Sequence, residues 1–205
     1  MFILPKKIKK IILASKSEAR KNILVNLGIN AEIYVTDVDE SLYNGVNFTP
    51  AEIVEGLSQR KARKAALDIN DPDVFIIAAD TVVAFNGRIL GKPSGKKDAV
   101  DTLMTLSGNL HEVYSGITVV YDGKIITDRD VTQVKFRTLG LTETELYVKT
   151  GDPLTKAGSY GAEGVGSSFI EYIKGDFFNV AGLPVSKFAN ILINDFNMTV
   201  FDLMD

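Results

Sequence analysis

Cysteine is absent from the 205 residues, which excludes disulfides and thiolate-bound zinc and fits a reducing compartment. Histidine occurs once, as His111; an isolated imidazole at a strand start reads as a structural group, and no catalytic role is assigned to it. No apolar run approaches the roughly 20 residues needed to cross a bilayer. The lysines at 6, 7, 9 and 10 are not followed by a long apolar core with a cleavage site, so they do not form a secretion signal. Charge of either sign is in little excess. The net charge of −3 gives no global case for nucleic acid or an anionic membrane, so any anion site must be a local cluster. A Walker loop is missing too: Gly91-Lys-Pro-Ser-Gly95-Lys96-Lys97 is one residue short and lacks the Ser/Thr, which argues against a P-loop NTPase. Repeats, linkers and low-complexity tracts are lacking. With 45% hydrophobic residues, the chain reads as one soluble, cytoplasmic α/β domain over residues 1–205.

What the chain does have centres on residues 74–93. Val74 to Ala79 is an unbroken apolar run of strand length, which reads as a strand buried on both faces. Asp80 follows at once, and a carboxylate rarely enters a core unless paired, hydrogen-bonded or metal-bound. In open α/β sheets the ligand crevice lies outside the carboxyl ends of the strands, where Asp80 is expected. Taken alone, it reads more readily as an Asp capping a turn after the strand. Asn86-Gly87 signals a hairpin that returns the chain to Lys92.

Three further cations or clusters stand out. Lys10 to Ala14 reads as a strand, with Ser17 capping a helix that runs to Leu27. In that helix Arg20, Ile23, Leu24 and Leu27 share one stripe. An inward Arg in a first helical turn suits a phosphate, though snorkelling to the surface is the competing reading. Ala31 to Thr36 reads as a second strand leading to Asp37-Val38-Asp39-Glu40. These carboxylates could hold a hard cation, but Asp37 and Asp39 are better read as a solvated loop. Thr49-Pro50-Ala51-Glu52 is a capping box opening a helix to about Asp68, with Lys61 on the same stripe as Ile53, Leu57 and Ala65. Lys61 either faces an anion or packs its stem with its head in solvent.

Farther on, Ser94 to Ser107 reads as a helix, His111 to Tyr121 and Lys124 to Thr138 as strands joined by Asp122-Gly123, and Thr142-Glu143-Thr144-Glu145 as a second capping box. Gly158, Gly161, Gly164 and Gly166 lie within nine residues; glycines permit positive φ and close backbone approach. The lone carboxylate Glu163 lies among them. A strand from Phe169 to Ile173 and the helix start at Leu183-Pro184, opening a closing helix from Val185 to Phe196, are expected to hold that loop at both ends.

Ser15-x-Ser17-x-x-Arg20, Ala79-Asp80-Thr81, Gly91-Lys92-Pro93, Lys156-Ala157-Gly158-x-Tyr160 and Gly182-Leu183-Pro184, in order across nearly the whole chain, together resemble the Maf (septum formation) family. The resemblance implies an elongated fold similar to that of inosine triphosphatases, a mixed sheet flanked by helices with two lobes around a cleft. It implies a nucleoside triphosphate pyrophosphatase that releases a monophosphate and pyrophosphate with a divalent cation, Mg²⁺ or Mn²⁺, and it leaves a homodimer open. By the same resemblance Asp80 accepts the proton, Ser15, Arg20, Lys61 and Lys92 contact the phosphates, and Glu40 joins Asp80 at the metal. Ala19, Thr81 and Glu163 occupy base-selecting positions. Family members that prefer dTTP and UTP typically carry Arg, Thr and Gln there, whereas members that prefer 7-methyl-GTP carry Trp, Gln and Glu. Ala19 matches neither set, Thr81 the first and Glu163 the second; the balance expected is dTTP and UTP.

Two other readings compete. Asp37-Val38-Asp39 after a strand resembles the nucleophile motif of haloacid-dehalogenase-type phosphatases, but Gly151-Asp152 lacks the further acidic residue those enzymes carry. A nucleotide-binding regulator of cell division without turnover would keep the cations and dispense with Asp80.

Overall fold

The computed structural model describes residues 8–39 and 48–204. The strands are β1 (Lys10–Leu13), β2 (Glu32–Ile33), β3 (Val74–Phe85), β4 (Arg88–Leu90), β5 (Leu110–Tyr121), β6 (Lys124–Phe136) and β7 (Ile170–Lys174). The helices are α1 (Glu18–Asn26), α2 (Pro50–Ile69), α3 (Lys96–Leu106), α4 (Leu141–Lys149), α5 (Phe177–Ala181) and α6 (Val185–Phe196). The sheet runs β2-β1-β3-β5-β6-β7, with β4 also on β3. It is mixed: β1 is parallel to β2 and β3, while β3–β4 and β6–β7 are antiparallel. The fold class is therefore α/β, a seven-stranded mixed sheet flanked by helices. Among the described residues no helix is long and apolar enough to cross a membrane.

Compact packing divides the chain into two units, one of residues 1–80, 115–130 and 182–205, the other of 81–114 and 131–181. In the first unit, side chains alternate along β3 as strand geometry requires. Val74, Ile76 and Ala78 join Ile12, Ala14, Val120 and the α2 residues Ala62 and Ala65 in one buried cluster. Phe75 turns the other way, onto Phe188 and Phe196 of α6 at ring separations of 6.5 and 6.0 Å. The contact of α2 with β5 is unusually close. A Cβ built on Gly116 would fall 2.3 Å from the carbonyl oxygen of Val54, so only glycine lets helix backbone lie against strand backbone there. One turn on, Ser58 and Thr118 share a buried hydrogen bond of 3.0 Å.

The second unit has its own core, in which Val83, Leu103, Leu106, Phe136, Tyr147, Tyr160 and Phe169 pack together. His111 is buried in it, its Nε2 2.8 Å from the Tyr160 hydroxyl. This is the structural placement its isolation suggested. Arg137 forks onto Glu143 through two bonds of 2.9 and 2.7 Å.

Three local expectations are corrected. The expected strand 31–36 is only Glu32–Ile33, both exposed, because this edge lacks a buried face to extend it. The helix read as capped at Thr142 begins at Leu141. Glu143 takes the Gly140 N–H at 2.7 Å, so the carboxylate half of the box is present two residues earlier than expected, and Thr144 bonds back to Gly140 O. Finally, β3 does not stop at Ala79 but runs without a break to Phe85. Pairing with β1 does stop, at Leu13–Ile77, so Asp80 still lies beyond the end of the parallel segment.

Candidate active site

The alternation along β3 that puts Val74, Ile76 and Ala78 on the face of α2 puts Asp80 there as well. The α2 stripe that delivers Leu57, Ser58 and Ala65 delivers Lys61. The two meet: Lys61 Nζ donates to Asp80 Oδ1 at 2.6 Å, with the side chains only 11% and 12% exposed. The reading of Lys61 as an inward cation facing an anion holds, and its head is not in bulk solvent. A charge pair this dry is costly to break, since removing Lys61 takes from Asp80 the cation at 2.6 Å.

The same unit contains the α1 site. Ser17 caps the helix through a 3.4 Å bond from the Arg20 amide. Arg20 is buried at 9% exposure. Its Nη1 donates to Ser15 Oγ at 3.0 Å and its Nε to the carbonyl of Gly182 at 2.8 Å. Ser15 Oγ also accepts the Ser17 amide at 3.2 Å. Arg20 does not snorkel; it is fixed at the helix's positive end by its bonds to Ser15 and Gly182. Ala19, half-buried, precedes it. The Gly182 carbonyl as an Arg20 acceptor was not foreseen, although the Gly182-Leu183-Pro184 motif marked the spot.

In the other unit, Thr81 follows Asp80 directly, and the strand's period turns it to the opposite face. Lys92 is exposed just past β4. Its neighbour Gly91 accepts the Gly158 amide at 3.1 Å, which ties the Lys92 turn to the glycine-rich loop. Gly158 itself has φ +66°, and a Cβ there would sit 2.7 Å from Val83 Cγ2. Glu163 is exposed, between that turn and the 3₁₀ segment 164–169. Glu40 lies outside the described residues. Asp37 and Asp39 are exposed, consistent with a solvated loop.

A divalent cation suits the donors present. Among the described residues no group of three or more His, Asp or Glu side chains is poised to bind a metal. Mg²⁺ does not need one, because it is commonly held by one or two carboxylates together with substrate phosphates. Asp80 commits Oδ1 to Lys61, which leaves Oδ2 as a hard oxygen donor.

The family model described as Maf-like protein matches residues 10–194. The chain belongs to the Maf family. The dTTP/UTP pyrophosphatase of Bacillus anthracis (strain CDC 684 / NRRL 3495) is 42% identical over 193 residues, spanning 94% of this chain and 98% of that protein. The dTTP/UTP pyrophosphatase of Clostridium botulinum (strain 657 / Type Ba4) is 44% identical over 189 residues, 91% of this chain and 97% of that one. Among solved structures, that of the Staphylococcus aureus Ham1 protein aligns with a TM-score of 0.47 and 18% identity, over 80% of this chain and 81% of that one. In this Maf chain the match includes both ends of the α1 site, Ser15-Arg20 and Gly182, and both members of the Lys61–Asp80 pair.

Proposed function

We propose that this Maf chain is a house-cleaning nucleoside triphosphate pyrophosphatase of the cytoplasmic nucleotide pool, acting on dTTP and UTP. The Maf match spans both compact units, which supports reading 1–205 as one catalytic domain. The observation that carries the assignment is the buried Lys61–Asp80 pair: a carboxylate held dry and oriented beside a cation, the arrangement that phosphoryl transfer needs for positioning and charge stabilisation.

In the proposed reaction, the oxygen of water forms a bond to the α phosphorus. The bond from that phosphorus to the α–β bridging oxygen breaks, and pyrophosphate leaves with the electron pair. Asp80 orients the water and accepts its proton; Lys61 fixes the Asp80 carboxylate through their 2.6 Å bond and stabilises charge. Arg20 and Ser15, preset by their mutual bond, hold phosphate oxygens at the start of α1, and Lys92 adds a further cation. Asp80, with Glu40, would hold the divalent cation, Mg²⁺ or Mn²⁺, which when bound supplies charge neutralisation at the triphosphate.

A second reading of specificity has one observation in its favour. Glu163 is a carboxylate where the dTTP/UTP branch carries Gln. It can accept from the N1–H and N2–H₂ edge of guanine and would repel the carbonyls flanking a pyrimidine N3–H. The test is a panel of canonical and 7-methylated triphosphates with Mg²⁺ or Mn²⁺, read as pyrophosphate against orthophosphate. Pyrophosphate with the monophosphate is expected, fastest from dTTP and UTP, and Asp80→Asn should lower kcat by orders of magnitude. Orthophosphate as the first product, binding without turnover, or an Asp80→Asn enzyme of normal kcat would overturn the proposal.

A further inference from the structure

Tyr147 lies on the inner face of α4, 2% exposed, and its hydroxyl is bonded twice. It donates to Asp152 Oδ2 at 2.6 Å and accepts the Gly161 amide at 3.2 Å. The other carboxylate oxygen of Asp152 faces Lys156 Nζ at 3.2 Å. The Lys156 stem lies along Gly161, where an added Cβ would come within 3.0 Å of Cε. The far end of the loop closes on the same hydroxyl. A Cβ on Gly166 would lie 2.4 Å from Gly161 O and 2.7 Å from the Tyr147 oxygen. Gly161 and Gly166 thus meet at one phenol, and the segment they pinch off is the one that exposes Glu163. Burial first, and the Asp152 bond second, push the phenol pKa up, so Tyr147 remains a hydrogen-bond donor to the carboxylate.

We propose that Tyr147, held by Asp152 and Lys156, is a positioning residue for base selection: its hydroxyl bonds the loop at Gly161 and packs against it at Gly166, and so presents Glu163 in one place. This rests on the reading of Glu163 as the residue that faces the base. The loop has four glycines in the nine residues from 158 to 166, so its intrinsic freedom is large. Without the tie, ordering the loop would be charged against each binding event. Glu163 would then meet different bases with similar ease. The phosphates are not touched by this change, so the effect belongs in KM and in discrimination between bases, not in kcat. The ring of Tyr147 stacks edge-on to Phe169 at 5.0 Å, so Tyr147→Phe keeps the packing and removes only the hydroxyl.

The experiment measures kcat and KM for dTTP, UTP and GTP with Mg²⁺ on wild type, Tyr147→Phe, Glu163→Gln and the double variant. Tyr147→Phe should raise KM for GTP, whose base edge Glu163 can accept from, about tenfold relative to dTTP and UTP, the scale of a coupled pair. It should also tilt the kcat/KM ratio further towards dTTP and UTP and leave kcat nearly unchanged. In the Glu163→Gln background the same substitution should add little, because the group being positioned has changed. A Tyr147→Phe enzyme with wild-type base ratios, an equal rise in KM for all three triphosphates, or fully additive effects would overturn the positioning role. If Glu163→Gln alone leaves the ratios unmoved, base reading by Glu163 fails and the proposal fails with it. If Glu163→Gln moves them and Tyr147→Phe does not, only the positioning role falls. Should Tyr147→Phe fold poorly, Lys156→Met makes the same comparison, and Lys156→Arg should restore the wild-type ratios.

Discussion

Replacing Lys61 by Met removes a charge while keeping the length of the stem, and it leaves Asp80 buried without its cation. At an effective dielectric of about 20, charges separated by the observed 2.6 Å attract by about 6 kcal/mol before desolvation is subtracted. Breaking such a pair by removing one member costs about 3–5 kcal/mol, because the remaining charge is stranded. Against a typical total stability of about 5–15 kcal/mol this is a large fraction. With a urea m-value of about 3 kcal/mol/M, the unfolding midpoint should fall by about 1–1.7 M. Asp80→Asn should also destabilise, by removing the carboxylate that Lys61 bonds at 2.6 Å. The double variant, Lys61→Met with Asp80→Asn, carries no buried charge at the site. It should recover most of the lost stability, so the two single effects are strongly non-additive. The assay is urea unfolding followed by circular dichroism on all four proteins, with the midpoint and slope fitted separately. Single variants that each lose less than about 0.5 kcal/mol, or losses that simply sum in the double variant, would show that the pair is not a dry, coupled element.

Gly158→Ala places a methyl group 2.7 Å from Val83 Cγ2 at a φ of +66°, so it should cost about 2–4 kcal/mol; Val83→Ala in the same chain should return part of that, and an unaltered melting curve for the single variant refutes the argument. Acid should weaken the fold in two stages. Burial holds His111 down to about 4 from its ordinary 6.5, and the Arg137 bond, then the Gly140 amide, hold Glu143 down to about 2 from 4.5. Both folded values lie below the unfolded ones, so each contribution is complete above the ordinary pKa and is lost as pH falls towards the folded one. The midpoint of unfolding should therefore decline between pH 6.5 and 4 and again from 4.5 towards 2, the surface-exposed Arg137–Glu143 share being small and salt-sensitive. His111→Gln should flatten the upper stage; a midpoint that does not change from pH 6.5 to 4 would contradict this.

Local chemistry made most of the elements legible. The Thr49–Glu52 box and Pro50 fixed the start of α2, Asn86-Gly87 fixed the β3–β4 turn, and Leu183-Pro184 fixed the start of α6, whose span of Val185–Phe196 agrees with the sequence pattern. Arg20 and Lys61 could be recognised as inward cations because the helical period is strict enough to place a charged residue on an apolar stripe. What each would touch could not be read in the same way. The Arg20–Gly182 contact joins residues 162 positions apart, and the Lys61–Asp80 bond depends on the register of α2 over β3, which no local pattern encodes. The end of β3 was misplaced for a related reason. A charged residue after an apolar run resembles a strand terminus, but the strand continues because β4 pairs with Val83 to Phe85. The triad of Tyr147, Asp152 and Lys156 left only a faint trace, since a lone aromatic on a short helix reads as core until its hydroxyl partners are known.

The hydrogen atom that serves as the side chain at Gly116 has a consequence for anyone wishing to make this protein more robust. Exchanging strand glycines for alanine is a common route to stability, because it narrows the unfolded ensemble. Here the new methyl group would meet the carbonyl of Val54 at 2.3 Å, and the cheapest escape is for α2 to lift away from the sheet. Lys61 travels on that helix, two turns along. The enzyme would then be retuned from below: a change made for heat tolerance at a position that touches no ligand would lengthen the bond to Asp80. Thickness at one point of the sheet acts as a gauge for the chemistry above it.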